Sequence, residues 1–100
     1  MLVIEATQRP RGYRLRGEID LSAADALART LERAVDDLET LQLDLSEVTF
    51  LDSIGLAVVI RTALSLEGRG NLVLKGPRPS VRGVLEMSGT LRVPNVEVLE

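Results

Sequence analysis

The feature that most constrains the fold is the alternation of strand-like and helix-like segments along the chain. Short stretches alternate apolar and polar residues with the period of a β-strand, and the stretches between them follow the helical period. The predicted strands cover residues 2–6, 13–19, 41–46, 71–75 and 95–100, and the predicted helices cover 20–39, 53–68 and 80–89. This order favours a parallel or mixed sheet with crossover helices. The sequence therefore predicts an α/β fold in one domain over residues 1–100, a length that suits a single core.

Composition excludes several classes of function. The chain contains neither cysteine nor histidine, which removes disulfides, thiolate metal sites and serine–histidine nucleophiles. The arginines are scattered and only two residues are aromatic, so neither a basic stripe nor a stacking platform indicates nucleic-acid binding. Asp20, Asp44 and Asp52 all lie at predicted strand ends and could converge on Mg²⁺, but such residues are more often caps, and we expect no metal site and no cofactor.

We expect neither a targeting segment nor a membrane segment in this sequence. The first residues, "MLVIEATQRP", have no basic start and no cleavable apolar stretch. The longest uninterrupted apolar run, "GLAVVI", is far shorter than a membrane span. We therefore expect a soluble cytoplasmic protein without direct membrane insertion.

The first predicted helix, "DLSAADALARTLERAVDDLE", is amphipathic. Its apolar stripe comprises Ala24, Leu27, Leu31, Ala34, Val35 and Leu38, and its polar face comprises Asp25, Arg29, Glu32 and Asp36. Ser22 followed by Asp25 resembles a capping box. The sequence therefore predicts a surface helix packed on the sheet.

The second predicted helix, in "FLDSIGLAVVI", is unusually apolar over its first two turns. The predicted core face comprises Leu56, Val59, Ile60 and Ala63, and the predicted outward positions are Ile54, Ala57, Val58, Arg61 and Ser65. Three of those outward residues are apolar, and they form a contiguous patch beside Ser53. Contiguous exposed apolar patches mark contact surfaces, so Ile54, Ala57, Val58 and Arg61 are predicted to bind a partner.

Ser53 has two possible roles at the start of this helix. It could cap the helix by accepting a backbone N–H bond, which is worth about 1 kcal/mol, although Asp52 could serve equally well and would suit the helix dipole. Alternatively, Ser53 could be phosphorylated. A phosphoryl group would find N–H donors at the helix start and would place about −1.5 to −2 charges beside Ile54 and Val58. A docked partner would be released while the fold survived.

The stretch "DLSEVTFLDSIGLAVVI" resembles the signature of the STAS domain, the small domain of bacterial anti-sigma factor antagonists that also occurs in sulphate transporters. The family pattern corresponds here to Asp44, Leu45, Leu51, Asp52, Ser53, Gly55 and Leu56. "LRGEID" at 15–20 and "LEMSG" at 85–89 are similar to two further family segments in the same order. The resemblance implies a mixed sheet of four or five strands with about three helices mainly on one face.

The resemblance also implies a mechanism. The unphosphorylated antagonist binds an anti-sigma factor that is itself a serine kinase, and this binding frees the sigma factor. The kinase then phosphorylates the serine after the motif's aspartate, which here is Ser53, and a metal-dependent PP2C-type phosphatase reverses the reaction. Asp20 matches the family's acidic residue near that serine, and could also simply flank the first helix. Gly55 would permit close approach, while Ile54 replaces the second hydroxyl that many antagonists carry.

Two other interpretations compete with this one. Stand-alone STAS proteins also serve as small subunits on the ATPase of lipid-transporting ABC complexes, and "GLAVV" at 55–59 is not far from their motif. An enzyme is not expected, because a hydrolase that used Ser53 would need a base, and Lys75 has no paired serine motif.

Overall fold

A five-stranded mixed sheet forms the centre of the computed structural model, which describes residues 1–37 and 40–100. The strands lie side by side in chain order: β1 (Leu2–Gln8), β2 (Arg11–Ile19), β3 (Leu41–Leu51), β4 (Leu72–Lys75) and β5 (Val96–Leu99). β1 pairs antiparallel with β2, and the remaining neighbours are parallel. The predicted α/β fold with a mixed sheet is therefore confirmed.

Each parallel pair of strands is joined by a helix. These helices are α1 (Leu21–Asp37), α2 (Ser53–Leu66) and α3 (Pro79–Met87), and a 3₁₀ turn over Thr90–Arg92 precedes β5. Because such crossovers are almost always right-handed, successive steps in one direction across the sheet place the helices on the same face. Within the residues that the structure describes, no helix is both long and apolar enough to cross a membrane.

β3 extends five residues beyond its predicted end at residue 46, to Leu51. The alternation of buried and exposed residues that marks its first half is lost after Leu45, because the pairing with β2 shifts register twice in this region. One shift lies between Gly17 and Glu18, and Gly17 has a φ of 109°. The longer β3 brings Asp52 to the end of the sheet, next to the end of β2.

The core lies between the sheet and the helices. Its largest fully buried side chains are Leu15, Ile19, Leu27, Leu31, Leu41, Leu43, Leu45, Val48, Leu66, Leu72, Leu74 and Leu85. The predicted apolar stripe of α1 is buried at Ala24, Leu27, Leu31, Ala34 and Val35. Leu38 and the side chain of Asp36, which were assigned to the two faces of this helix, lie outside the described residues.

The buried side of α2 is wider than predicted. Leu56, Val59 and Ala63 are buried as expected, and Ile60 is only partly buried. Val58, predicted to face outward, is only 2% exposed, because α2 packs against α1 as well as the sheet. Val58 lines the seam between these helices together with Leu31, so its assignment to an exposed docking patch is wrong.

We predict that Val58→Glu strongly destabilises the protein. A carboxylate at this position would lie in the seam between α1 and α2, and should cost about 3 kcal/mol or more in the free energy of unfolding. Ala57→Glu is the matched control, because Ala57 is exposed on the same helix and should change stability by no more than about 0.5 kcal/mol. Urea denaturation measures both, and equal stabilities would contradict the packing described for Val58.

Candidate functional site

The candidate site lies where β2 and β3 end side by side. These strands are parallel and Ile19 is paired with Leu51, so the residues that follow them, Asp20 and Asp52, emerge at the same edge of the sheet. The backbone N–H of Asp52 donates to the carbonyl oxygen of Ile19 at 3.2 Å, which extends the pairing by one residue. The sheet therefore sets the starting points of α1 and α2 next to each other.

Asp52 caps α2. Its Oδ1 accepts hydrogen bonds from the backbone N–H groups of Ile54 at 3.0 Å and Gly55 at 2.8 Å. A carboxylate at this position satisfies two donors that would otherwise be unpaired and also interacts favourably with the helix dipole. Of the two cap candidates in the sequence, the structure selects Asp52, and Ser53 is the first residue inside the helix.

This cap also changes the expected environment of a phosphoryl group. The N–H groups of Ile54 and Gly55 were expected to be available to a phosphoryl group on Ser53, but the carboxylate of Asp52 already occupies them. A phosphoryl group would therefore lie beside a negative charge instead of entering a vacant anion site. Its principal effect would be electrostatic, through its charge at the surface.

Asp20 plays the equivalent part at the start of α1. Its Oδ1 accepts hydrogen bonds from the Ser22 hydroxyl at 2.7 Å and from the Ala23 backbone N–H at 3.2 Å. The hydrogen bond from Ser22 is the largest influence holding the pKa of Asp20 below its ordinary value. The predicted capping box of Ser22 and Asp25 is therefore wrong, because the cap is Asp20 and Ser22 assists it.

Asp44 does not join this site. Ser46 donates to its Oδ1 from the backbone N–H at 3.0 Å and from the hydroxyl at 2.6 Å, and Arg14 lies 3.7 Å from its other oxygen. Burial alone would raise the pKa of Asp44, but the bonds from Ser46 and the nearby positive charges lower it below its ordinary value. Among the side chains that the structure describes, no three acidic groups come together as a metal site.

Ser53 is exposed at the N-terminus of α2. Its hydroxyl makes no hydrogen bond to any residue that the structure describes, and the same holds for Ser80, whereas the hydroxyls of Ser22, Ser46, Ser65 and Ser88 donate to nearby oxygens. Asp52 caps this helix start, and other residues of α2 contribute its buried side chains. The Ser53 side chain therefore has no evident role in holding the fold, and its oxygen is accessible from solvent.

Gly55 lies directly against the end of β2. A Cβ built at this position would lie 2.5 Å from the carbonyl oxygen of Ile19 and 2.5 Å from that residue's own side chain. Side chains essentially never approach backbone so closely, and only glycine lets α2 start directly against the end of β2. The close approach predicted for Gly55 is therefore made within the chain.

Several side chains near the starts of α1 and α2 are exposed, and most of them are apolar. Ile54 is 43% exposed and Ala57 is exposed one turn further along α2, as predicted, and Arg61 is exposed on the following turn. Leu21 is 68% exposed directly after Asp20, and Phe50 is about half exposed near the end of β3. The sequence analysis did not assign these last two residues to the site, although each is an apolar residue within two positions of a capping aspartate.

Residues 2–98 match the model of the STAS domain, and the chain belongs to the STAS domain family. BtrV of Bordetella bronchiseptica, whose name gives it the expected role of anti-sigma factor antagonist, is 37% identical over 81 residues, which cover 79% of this chain and 70% of BtrV. The resemblance inferred from the motif is thus confirmed.

Solved structures of antagonists have the same fold. An anti-sigma factor antagonist from Mycobacterium paratuberculosis superposes with a TM-score of 0.79 at 26% identity, over 97% of this chain and 84% of that one. The unphosphorylated form of the anti-sigma factor antagonist SpoIIAA superposes with a TM-score of 0.76 at 25% identity, over 100% of this chain and 89% of SpoIIAA. The phosphorylated form of Bacillus SpoIIAA, at 24% identity, has a TM-score of 0.71 over 100% of this chain and 92% of that one, and shows the fold alone.

We predict that Gly55→Ala lowers the free energy of unfolding by about 1 to 3 kcal/mol, because the added methyl group must push α2 away from the end of β2. Gly83→Ala is the matched control. Gly83 also lies in a helix, and a Cβ there meets nothing within 4 Å, so this change should be neutral or stabilising by up to about 1 kcal/mol. Thermal denaturation of both variants measures the difference, and a loss of stability in both would show that the contact with Ile19 is not the cause.

Proposed function

We propose that this protein is an anti-sigma factor antagonist whose binding is switched by phosphorylation of Ser53. In the unphosphorylated state it binds an anti-sigma factor that is also a serine kinase, and it thereby regulates sigma-factor-dependent transcription. The observation that carries the proposal is an exposed hydroxyl with no structural task, set among exposed apolar side chains at the place where the STAS motif has its serine. The similarity to named antagonists supports the same class of partner.

The proposed docking surface comprises Leu21, Ile54, Ala57 and Arg61. Leu21 and Ile54 supply apolar area at the starts of α1 and α2, and Arg61 adds a positive charge two turns from Ser53. A partner that covers this surface must remove water from Ser53. Removing water costs little free energy for a neutral hydroxyl that finds a hydrogen-bond partner in the complex. It costs a great deal of free energy for a phosphoryl group.

The charge of the phosphoryl group would act on binding and leave the fold intact. Asp52 and Asp20 already place negative charge at this end of the sheet, and a further charge of about −2 would be repelled by them and hydrated by solvent. A partner could not cover that charge without providing its own cation. The fold would be retained, because the caps and the core use other groups.

The remaining roles belong to the partners. The kinase would supply ATP, so the antagonist needs no cofactor, and a PP2C-type serine phosphatase would restore the hydroxyl. The protein would act as a binding module in the cytoplasm, where sigma factors operate, and would catalyse no reaction itself. The alternative as a subunit on the ATPase of a lipid-transporting ABC complex has no specific support in the site.

We predict that Ser53→Ala binds the cognate anti-sigma factor as tightly as the unmodified protein but is not phosphorylated by it. Ser53→Asp should bind at least about tenfold more weakly, a difference of about 1.4 kcal/mol, because a permanent charge would be desolvated in the complex. Isothermal titration calorimetry measures the affinities, and mass spectrometry after incubation with the kinase and ATP measures the modification.

Ser80→Asp is the matched control for this test. Ser80 is also an exposed serine in the first turn of a helix, but it lies in α3, outside the proposed docking surface. Its replacement should leave the affinity unchanged. Equal affinities of Ser53→Ala and Ser53→Asp, or phosphorylation of Ser53→Ala at another residue, would contradict the proposed switch.

We also predict that Leu21→Glu weakens binding to the anti-sigma factor severalfold without changing the melting temperature, because the side chain is mostly exposed and contributes area only in the complex. Met87→Glu is the control, since Met87 is even more exposed but lies at the end of α3. Calorimetry and differential scanning fluorimetry on the three proteins separate binding from stability. If the two variants bound equally well, the docking surface would not include the start of α1.

A further inference from the structure

The two edges of the sheet differ in how open they are. β5 is an edge strand of only four residues, whereas β1 is an edge strand of seven residues, Leu2–Gln8. Sheet edges are usually protected by short length, by proline, by lysine or by bulges. β1 contains neither proline nor lysine, and its pairing with β2 is continuous from one end to the other. It therefore offers a regular row of backbone donors and acceptors on the side away from β2.

A groove that is lined mainly by apolar residues lies along the same edge. It lies between β1 and the first turns of α1, has a volume of about 260 Å³, and is lined by Met1, Leu2, Ile4, Ser22, Ala23 and Ala26. Leu2 and Ile4 pack against the core but remain partly exposed. The helical layer thus stops short of β1, and the edge has uncovered apolar side chains as well as free backbone groups.

We propose that β1 pairs antiparallel with β1 of a second copy of this chain, centred on Ile4. In this arrangement Ile4 lies opposite Ile4 of the second copy, and Leu2 lies opposite Ala6. These side chains share the face of the groove, so pairing extends the apolar layer from one copy into the other. The twofold axis runs perpendicular to the sheet, which places the helices of both copies on the same face of a continuous sheet.

The only charged side chain of β1, Glu5, excludes one of the registers open to this pairing. Residues that lie opposite each other in the two strands must point to the same face of the sheet. The register can therefore shift only in steps that keep each side chain on its own face. Centring the pairing on Glu5 would set two like charges directly opposite each other, which is destabilising. Centring on Ile4 sets Glu5 opposite Val3 of the second copy, and Val3 is exposed on the other face of the sheet. This compatibility of β1 with its own copy matters only for pairing with a second copy, and a strand from an unrelated partner would not need it.

The test uses charge at Val3. Val3→Lys would create two opposite-charge pairs with Glu5 across the twofold axis and should tighten the dimer severalfold, whereas Val3→Glu would create two like-charge pairs and should weaken it severalfold. The double variant Val3→Glu/Glu5→Lys should restore association. Sedimentation equilibrium at low salt, from micromolar to near-millimolar protein, measures the dimer dissociation constant.

The thermal stability of the monomer should change in the opposite direction to the affinity of the dimer. Val3 lies opposite Arg16 on β2, and Glu5 lies opposite Arg14. Val3→Lys therefore adds a like-charge pair within the monomer, and Val3→Glu adds an opposite-charge pair. At concentrations where the protein is monomeric, Val3→Lys should melt slightly below Val3→Glu, so a general gain in stability cannot mimic tighter association.

Amide hydrogen exchange locates the contact. In the unmodified protein, alternate amides of β1 should become more protected as the concentration rises, whereas those of β5 should not change. The proposal is overturned if the protein stays monomeric up to near-millimolar concentration, if the charge variants all dimerise equally, or if protection appears elsewhere. Binding to the anti-sigma factor is not used in this test, so its outcome is independent of the proposed switch at Ser53.

Discussion

The start of α2 against the end of β2 is the contact on which the site depends. Gly55 allows the helix to lie directly on the carbonyl of Ile19, and the N–H of Asp52 bonds to that same carbonyl oxygen. These two interactions fix both the position and the direction of α2. They also decide that Ser53, one of the two residues between Asp52 and Gly55, projects into solvent.

The structural roles at this site belong to residues that neighbour Ser53. Asp52 and Asp20 satisfy the backbone donors of two helices, while Ser53 satisfies none among the described residues. A phosphoryl group can therefore be added without removing any hydrogen bond that holds the fold. The proposed change in binding follows from the cost of burying charge, and it requires no rearrangement of the backbone.

The same chain shows why a helical pattern alone misplaces some residues. The sequence assigned Val58 to the exposed side of α2, because a helix on a sheet was expected to bury one narrow stripe. In the structure α1 lies beside α2, and Leu31 of α1 lines the same seam as the buried Val58. Which residues a helix buries depends on how many neighbours it has, and a single sequence does not contain that number. Leu21 was missed for a related reason, since an apolar residue next to a cap is not distinguishable from core by pattern.

The sequence by itself determined the order of strands and helices along the chain, the α/β class and the identity of the motif around Asp52 and Ser53. These features depend on local period, turn residues and the spacing of a short signature, all of which are written along the chain. Only the tertiary structure decided which aspartate caps which helix, why Gly55 must be glycine, and that Val58 is core while Leu21 is surface. Those properties arise from contacts between β2, α1 and α2 that are distant in sequence, and the packing of three elements is set by their combined shape.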